Sequence, residues 1–143
     1  MPPERRGYGD AVPRTIDLAT LCNAASVRED LLSLLDAGVT TLTAEEFPAN
    51  VELTLVAQFA FSEPDLGKQE TMGVDVTSDD NDTLISETIQ VTPERPADAD
   101  LAIPYFHTWL HKLALSFARP GLYTVTVTMQ GASPRRLPLR VQS

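Results

Sequence analysis

Apolar and polar residues alternate with period two over much of this chain. The pattern is sharpest from Pro120 to Val141, where Tyr123, Val125, Val127 and Met129 interleave with Thr124, Thr126 and Thr128. β-Branched residues on both parities, with turn signals at Pro120, Gly121 and Gly131, read as a half-buried strand. Leu137, Leu139 and Val141 then alternate with Arg136, Pro138 and Arg140. This predicts a returning strand, and so a C-terminal β-hairpin with one apolar and one polar face.

The same period predicts further strands upstream. Thr15–Asn23 sets Ile16, Leu18 and Cys22 on one side. Val51–Phe61 is the cleanest case, with Val51, Leu53, Leu55, Ala57, Phe59 and Phe61 on one parity. Burying each larger side chain of that face is worth about 1.5–3 kcal/mol, which places this strand near the centre of a sheet. Met72, Val74 and Val76 mark the next strand, Asp79–Asp82 a tight loop, and Thr83–Val91 its return. Ile85, Ile89 and Val91 face inward there, and Glu87 falls on their side as an exception. Residues 92–100 form a Pro-rich polar connection. Ile103–Phe117 then places Tyr105, Trp109, Leu113, Leu115 and Phe117 on one parity. Residues 1–14 show no period and hold three prolines and two glycines; they read as a disordered tail before a single domain of residues 15–143.

Ser26–Leu42 carries two readings. Ser26 and Glu29 have capping-box spacing, Val27, Leu31, Leu34 and Leu35 share a helical face, and Gly38 sits at a C-cap position. That is a helix of about three turns. The other reading makes residues 28–30 a tight turn, Leu31–Leu35 a strand, Gly38 a bulge and Val39–Leu42 its continuation.

Several segments, in their order and spacing, resemble a family of uncharacterised bacterial β-sandwich proteins, a domain of unknown function. They are a strand ending at residues 21–25, the stretch of residues 31–40 with its Gly38, residues 46–49, and residues 120–123 with a Pro-Gly-x-Tyr turn. The resemblance covers residues 15–142. It implies a strand at Leu31–Leu35, and we adopt that reading over the helix. It brings no activity and no site residues.

The 143 residues suffice for one domain with its own core. Formal charge is −9 and unevenly spread. Residues 29–100 hold 17 acids against two bases, whereas residues 101–143 hold five bases and no acid. Net acidity disfavours nucleic acid, and the split is expected where acidic and basic strands pair across a sheet. Apolar runs fall short of the ~18 residues of a membrane span. No apolar segment follows Arg5 and Arg6, so a cytoplasmic location without membrane association is expected.

Candidate chemistry is sparse. Cys22, the single cysteine, sits among Leu21 and Ala24 and reads as a buried small hydrophobe rather than a nucleophile. His107 and His111 would share a helix face at metal-ligand spacing, but on a strand they stand ~13 Å apart, with no acid in their segment. Asp75, Asp79, Asp80 and Asp82 could offer oxygens to calcium, although an acidic solvated turn is the commoner meaning. Tyr105, Phe106 and Trp109 lie close in sequence; they read as core and lid, or, where exposed, as a partner-binding patch. No nucleophile elbow or phosphate-cradling glycine run occurs.

These readings converge on an all-β, Ig-like antiparallel β-sandwich of about seven to eight strands. Its expected role is a non-catalytic protein-interaction or accessory module without a cofactor, acting as monomer or homodimer. A small-ligand or calcium-binding domain is the alternative, and an enzyme with an unrecognised site comes third.

Overall fold

A computed structural model describes residues 14–29, 31–61, 67–93 and 105–143. Among the described residues there are ten strands: β1 (Thr15–Cys22), β2 (Ala24–Arg28), β3 (Leu31–Leu35), β4 (Thr41–Thr43), β5 (Ala49–Phe61), β6 (Glu70–Ser78), β7 (Thr83–Val91), β8 (Tyr105–Phe117), β9 (Gly121–Met129) and β10 (Arg135–Gln142). They form a three-stranded sheet, β1-β5-β8, and a five-stranded sheet, β4-β10-β9-β6-β7. A two-stranded hairpin, β2-β3, forms a third sheet of its own. All pairings are antiparallel except β10 with β4.

The chain is an all-β sandwich whose core lies between the two larger sheets. Leu21, Leu53, Leu55, Phe59, Phe61, Leu113 and Phe117 from one sheet meet Met72, Val74, Val76, Val125, Val127 and Leu139 from the other. This is what period two demands, because alternate side chains of a pleated strand share a face. β5 holds the central place expected of it, paired with β1 on one side and along its whole length with β8 on the other. Its outward Thr54, Val56 and Ala60 are also buried. The C-terminal hairpin follows its predicted register, with Tyr123, Val125, Val127, Met129, Leu139 and Val141 all buried. Tyr123 closes the β8–β9 turn by donating its hydroxyl to the Arg119 carbonyl at 2.7 Å.

The strand count exceeds the predicted seven to eight because of residues 24–43. Leu31–Leu35 is a strand, and a turn precedes it, with Glu29 at φ +53°. Gly38, however, is no bulge, and Thr41–Thr43 does not continue β3. Gly38 (φ +82°) lies in the connection, where its N–H meets the Leu21 carbonyl at 2.9 Å and the Thr20 hydroxyl at 3.0 Å. Those bonds pin the chain beside β1, from which it crosses to the opposite sheet and pairs parallel to β10.

β1 also departs from its simple alternation. A register shift between Ile16 and Leu18 puts Ile16, Ala19 and Leu21 in the core and turns Leu18 and Cys22 to the other face. Arg14, assigned to the tail by the sequence reading, binds Glu70 with bonds of 2.8 and 2.5 Å. The remainder of that tail, residues 1–13, residues 94–100 of the Pro-rich connection, and residues 101–104, which include the start of the strand expected from Ile103, lie outside the described residues. Among the described residues no helix is long and apolar enough to cross a membrane.

Candidate functional site

The feature that the core does not explain is the β2–β3 arm. The hairpin pairs Arg28 with Leu31 at its tip, and Glu29, just beyond Arg28, has a positive φ of 53°. The arm's base is fastened by Asn23, whose N–H meets the Leu35 carbonyl at 3.0 Å and whose Nδ2 donates to Asp36 at 2.8 Å. Across the arm, Ala25 pairs with Leu34 and Val27 with Leu32, giving one wholly apolar face. The opposite face carries Leu31 and Leu35 with Ser26, Ser33 and Arg28.

Much of this apolar surface is open. Val27 is 47% exposed, Leu31 69%, Leu34 37% and Leu35 60%. Among the described residues, six large hydrophobics are exposed, and these four share one hairpin. A two-stranded hairpin is marginal in water by itself and gains stability from a third strand or a packed face.

The edge of β3 is equally unusual. Its sequence, Leu-Leu-Ser-Leu-Leu, contains no charge and no proline. Exposed edges are ordinarily blunted by such residues, because a bare row of N–H and C=O groups templates further pairing. Among the described residues β3 pairs with β2 alone. The Leu35 carbonyl turns toward the β2 side, where it accepts from Asn23. Alternation along an antiparallel ladder then leaves the backbone groups of Leu32 and Leu34 facing the open edge.

The aromatic trio is not one patch. Phe106 points outward at 55% exposed, whereas Trp109 is buried at 5% and packs against Phe59, with ring centroids 6.1 Å apart. Neighbouring strand positions of opposite parity cannot share a face, so Trp109 is a core residue. The side chain of Tyr105 lies outside the described residues.

His107 and His111 both take the inward parity of β8, and His107 is half-buried. Loss of solvent holds the His107 imidazole below its ordinary pKa. His111 stacks on Trp109 at 5.2 Å and binds Glu87 from β7. The acid missing from its own segment thus comes from the facing sheet. Glu87's misplaced parity was the one sequence signal of that pairing.

The four aspartates are dispersed. Asp79, Asp80 and Asp82 are exposed in the β6–β7 turn, Asp80 binds Arg119, and Asp75 sits mid-strand on the outer face beside Thr126 and Ser86. Among the described residues no group of three or more His, Cys, Asp or Glu could hold a metal. Cys22 is fully buried with its Sγ 3.5 Å from the Thr54 carbonyl, and burial pushes its thiol pKa up. An open hollow of about 490 Å³ lies at one end, between Asp79, Leu122 and Arg140; it includes none of the histidines and not Cys22.

A family model described as a family of unknown function (DUF6941) matches residues 17–142, and the chain belongs to that family. No curated protein matches. Among solved structures, the C-terminal domain of wzt is similar at 12% identity and a TM-score of 0.48, covering 99% of this chain and 83% of that one. A β-glucosidase from Listeria innocua is similar at 13% identity and a TM-score of 0.45, covering 73% of this chain. Only 15% of that β-glucosidase chain is spanned.

Proposed function

We propose that this member of a family of unknown function is a non-catalytic protein-interaction module that captures an extended partner segment on the open edge of β3. The observation that carries the reading is the concentration of exposed leucine and valine on the β2–β3 arm, beside an edge with neither charge nor proline. Strand addition would supply main-chain hydrogen bonds from Leu32 and Leu34, and the leucines on either face would choose the partner. The absence of catalysis is supported by the groups themselves. The Cys22 thiol is buried in its neutral form, Asp80 is engaged by Arg119, and Glu87 by His111. A single buried cysteine suits a reducing compartment, and a cytoplasmic setting belongs to the same proposal.

The test compares the wild-type chain with the double variant Leu31→Lys, Leu35→Lys as bait in native extract. Both residues are exposed, so the fold persists, as the fluorescence of buried Trp109 would report. Proteins held by the wild type and lost by the variant are the expected result. Identical captured sets would remove the arm from the function.

A further inference from the structure

We infer that the segment received by β3 is β3 of a second copy, so that two arms join as one four-stranded sheet, β2-β3-β3-β2, about a twofold axis through Ser33. The inference rests on the arm reading above and names its partner. Its first ground is the strand itself. Leu31-Leu32-Ser33-Leu34-Leu35 is a palindrome, and an isologous contact requires a self-complementary surface. Set antiparallel about Ser33, Leu31 of one copy stands opposite Leu35 of the other, and Leu32 opposite Leu34. Within Leu31–Leu35 like residues therefore meet without a charge, and the like-charge penalty that keeps many edge strands apart is missing from these five positions.

The second ground is hydrogen bonding. The edge-facing backbone groups belong to Leu32 and Leu34, which this register makes partners. Each of the two resulting Leu32–Leu34 pairs exchanges both bonds, whereas Ser33 meets Ser33 as a pair without them. A register displaced by one residue would match edge-facing groups with inward-facing ones. The third ground is the faces that result. The apolar side of each arm, Ala25, Val27, Leu32 and Leu34, runs unbroken into its counterpart, and the most exposed side chains, Leu31 and Leu35, cover one another across the seam.

The area sets the strength. The four exposed side chains offer on the order of 400 Å² per arm, the scale of the largest apolar patch on a typical monomer. Two arms then bury less than the ~1,200 Å² of a standard stable interface. The dimer is therefore weak and reversible.

Cysteine scanning of the full chain tests the axis. Antiparallel partners of the non-bonded kind have Cα atoms about 4.5 Å apart, within the span that a disulfide bridges. Ser33→Cys should therefore give a covalent dimer on mild oxidation, and Leu31→Cys, which faces Leu35, should give little. By light scattering the wild type should rise from monomer toward dimer mass with concentration, and Ser33→Lys, placing two ammonium groups on the axis, should remain monomeric while Trp109 fluorescence stays native. A monomer mass for the wild type into the hundreds of micromolar, or equal cross-linking of the two cysteine variants, would overturn the second-copy inference. The arm reading would then stand or fall separately, on whether the Leu31→Lys, Leu35→Lys bait loses its captured proteins.

Discussion

Glu87 on β7 meets the imidazole of His111 on β8 across the open side of the sandwich. The two strands belong to different sheets and each is a sheet edge, so this pair bridges layers that backbone hydrogen bonds do not join. His111 is in turn laid against Trp109. Glu87 remains nearly half exposed, and partly exposed ion pairs are worth about 0–1 kcal/mol. Glu87→Ala and His111→Ala should each lower unfolding free energy in urea. The double variant should lose less than their sum, and additive losses would mean that the contact contributes nothing.

Tyr123 fastens the β8–β9 turn from within the core. Its ring stacks edge-on against Phe117 at 4.7 Å, and its hydroxyl reaches the Arg119 carbonyl. Tyr123→Phe keeps the ring and removes the bond, at a cost of about 0.5–1.5 kcal/mol. At this chain length that lowers the Tm by roughly 2–6 °C, as a thermal melt would read.

Gly73 leaves room for Thr128 on the outer face of the five-stranded sheet. A Cβ there would stand 2.7 Å from the Thr128 hydroxyl oxygen. Gly73→Ala should destabilise by about 1–3 kcal/mol, the range of overpacking. Adding Thr128→Ala should recover part of it in the same denaturation assay.

Burial suppresses both the ionisation and the accessibility of Cys22. Its thiol should resist alkylation in the native chain and react only as the chain opens, at a rate that rises with denaturant. Rapid native labelling, followed by mass spectrometry, would contradict its burial.

His107 predicts a pH dependence. Its folded pKa lies below the unfolded value of about 6.5. Between the two values the unfolded chain binds more protons, so stability is full above about pH 6.5 and declines as pH falls below it. Against this background of acids, the wild type should lose more stability than His107→Gln between pH 7 and 5, measured as the difference between paired urea titrations. Parallel curves would remove His107 as a contributor.

Most of the sandwich was legible in the order of residues, because a half-buried strand writes its two faces as alternate letters. Val51–Phe61, Thr83–Val91 and the C-terminal hairpin were readable in this way. The breaks in that rule were not. The shift between Ile16 and Leu18 reverses Cys22, and no local signal announces it, since a bulge is set by what the strand pairs with. The leucines of residues 31–35 fit a helical face as well as a strand, because a short apolar run has no period of its own to declare.

The candidate site was the least legible part. The sequence reading of Leu31–Leu35 decided only between helix and strand; that Leu31, Leu34 and Leu35 are left exposed follows from β3 pairing with β2 alone among the described residues. Phe106 and Trp109 look like neighbours in the chain but face opposite ways. His107 and His111 seemed to lack an acid because Glu87 stands 24 residues away from His111 along the chain.

The order of residues alone determined the all-β class, the inward faces of β5, β7, β9 and β10, and the turns at Asp79–Asp82 and Pro120–Gly121, all of which depend on interactions between near neighbours. Which strands joined which sheet, where Thr41–Thr43 went, and which apolar residues were left uncovered were decided by the tertiary structure. Those outcomes depend on contacts between residues far apart in the chain, and burial belongs to the assembled layers rather than to any one segment.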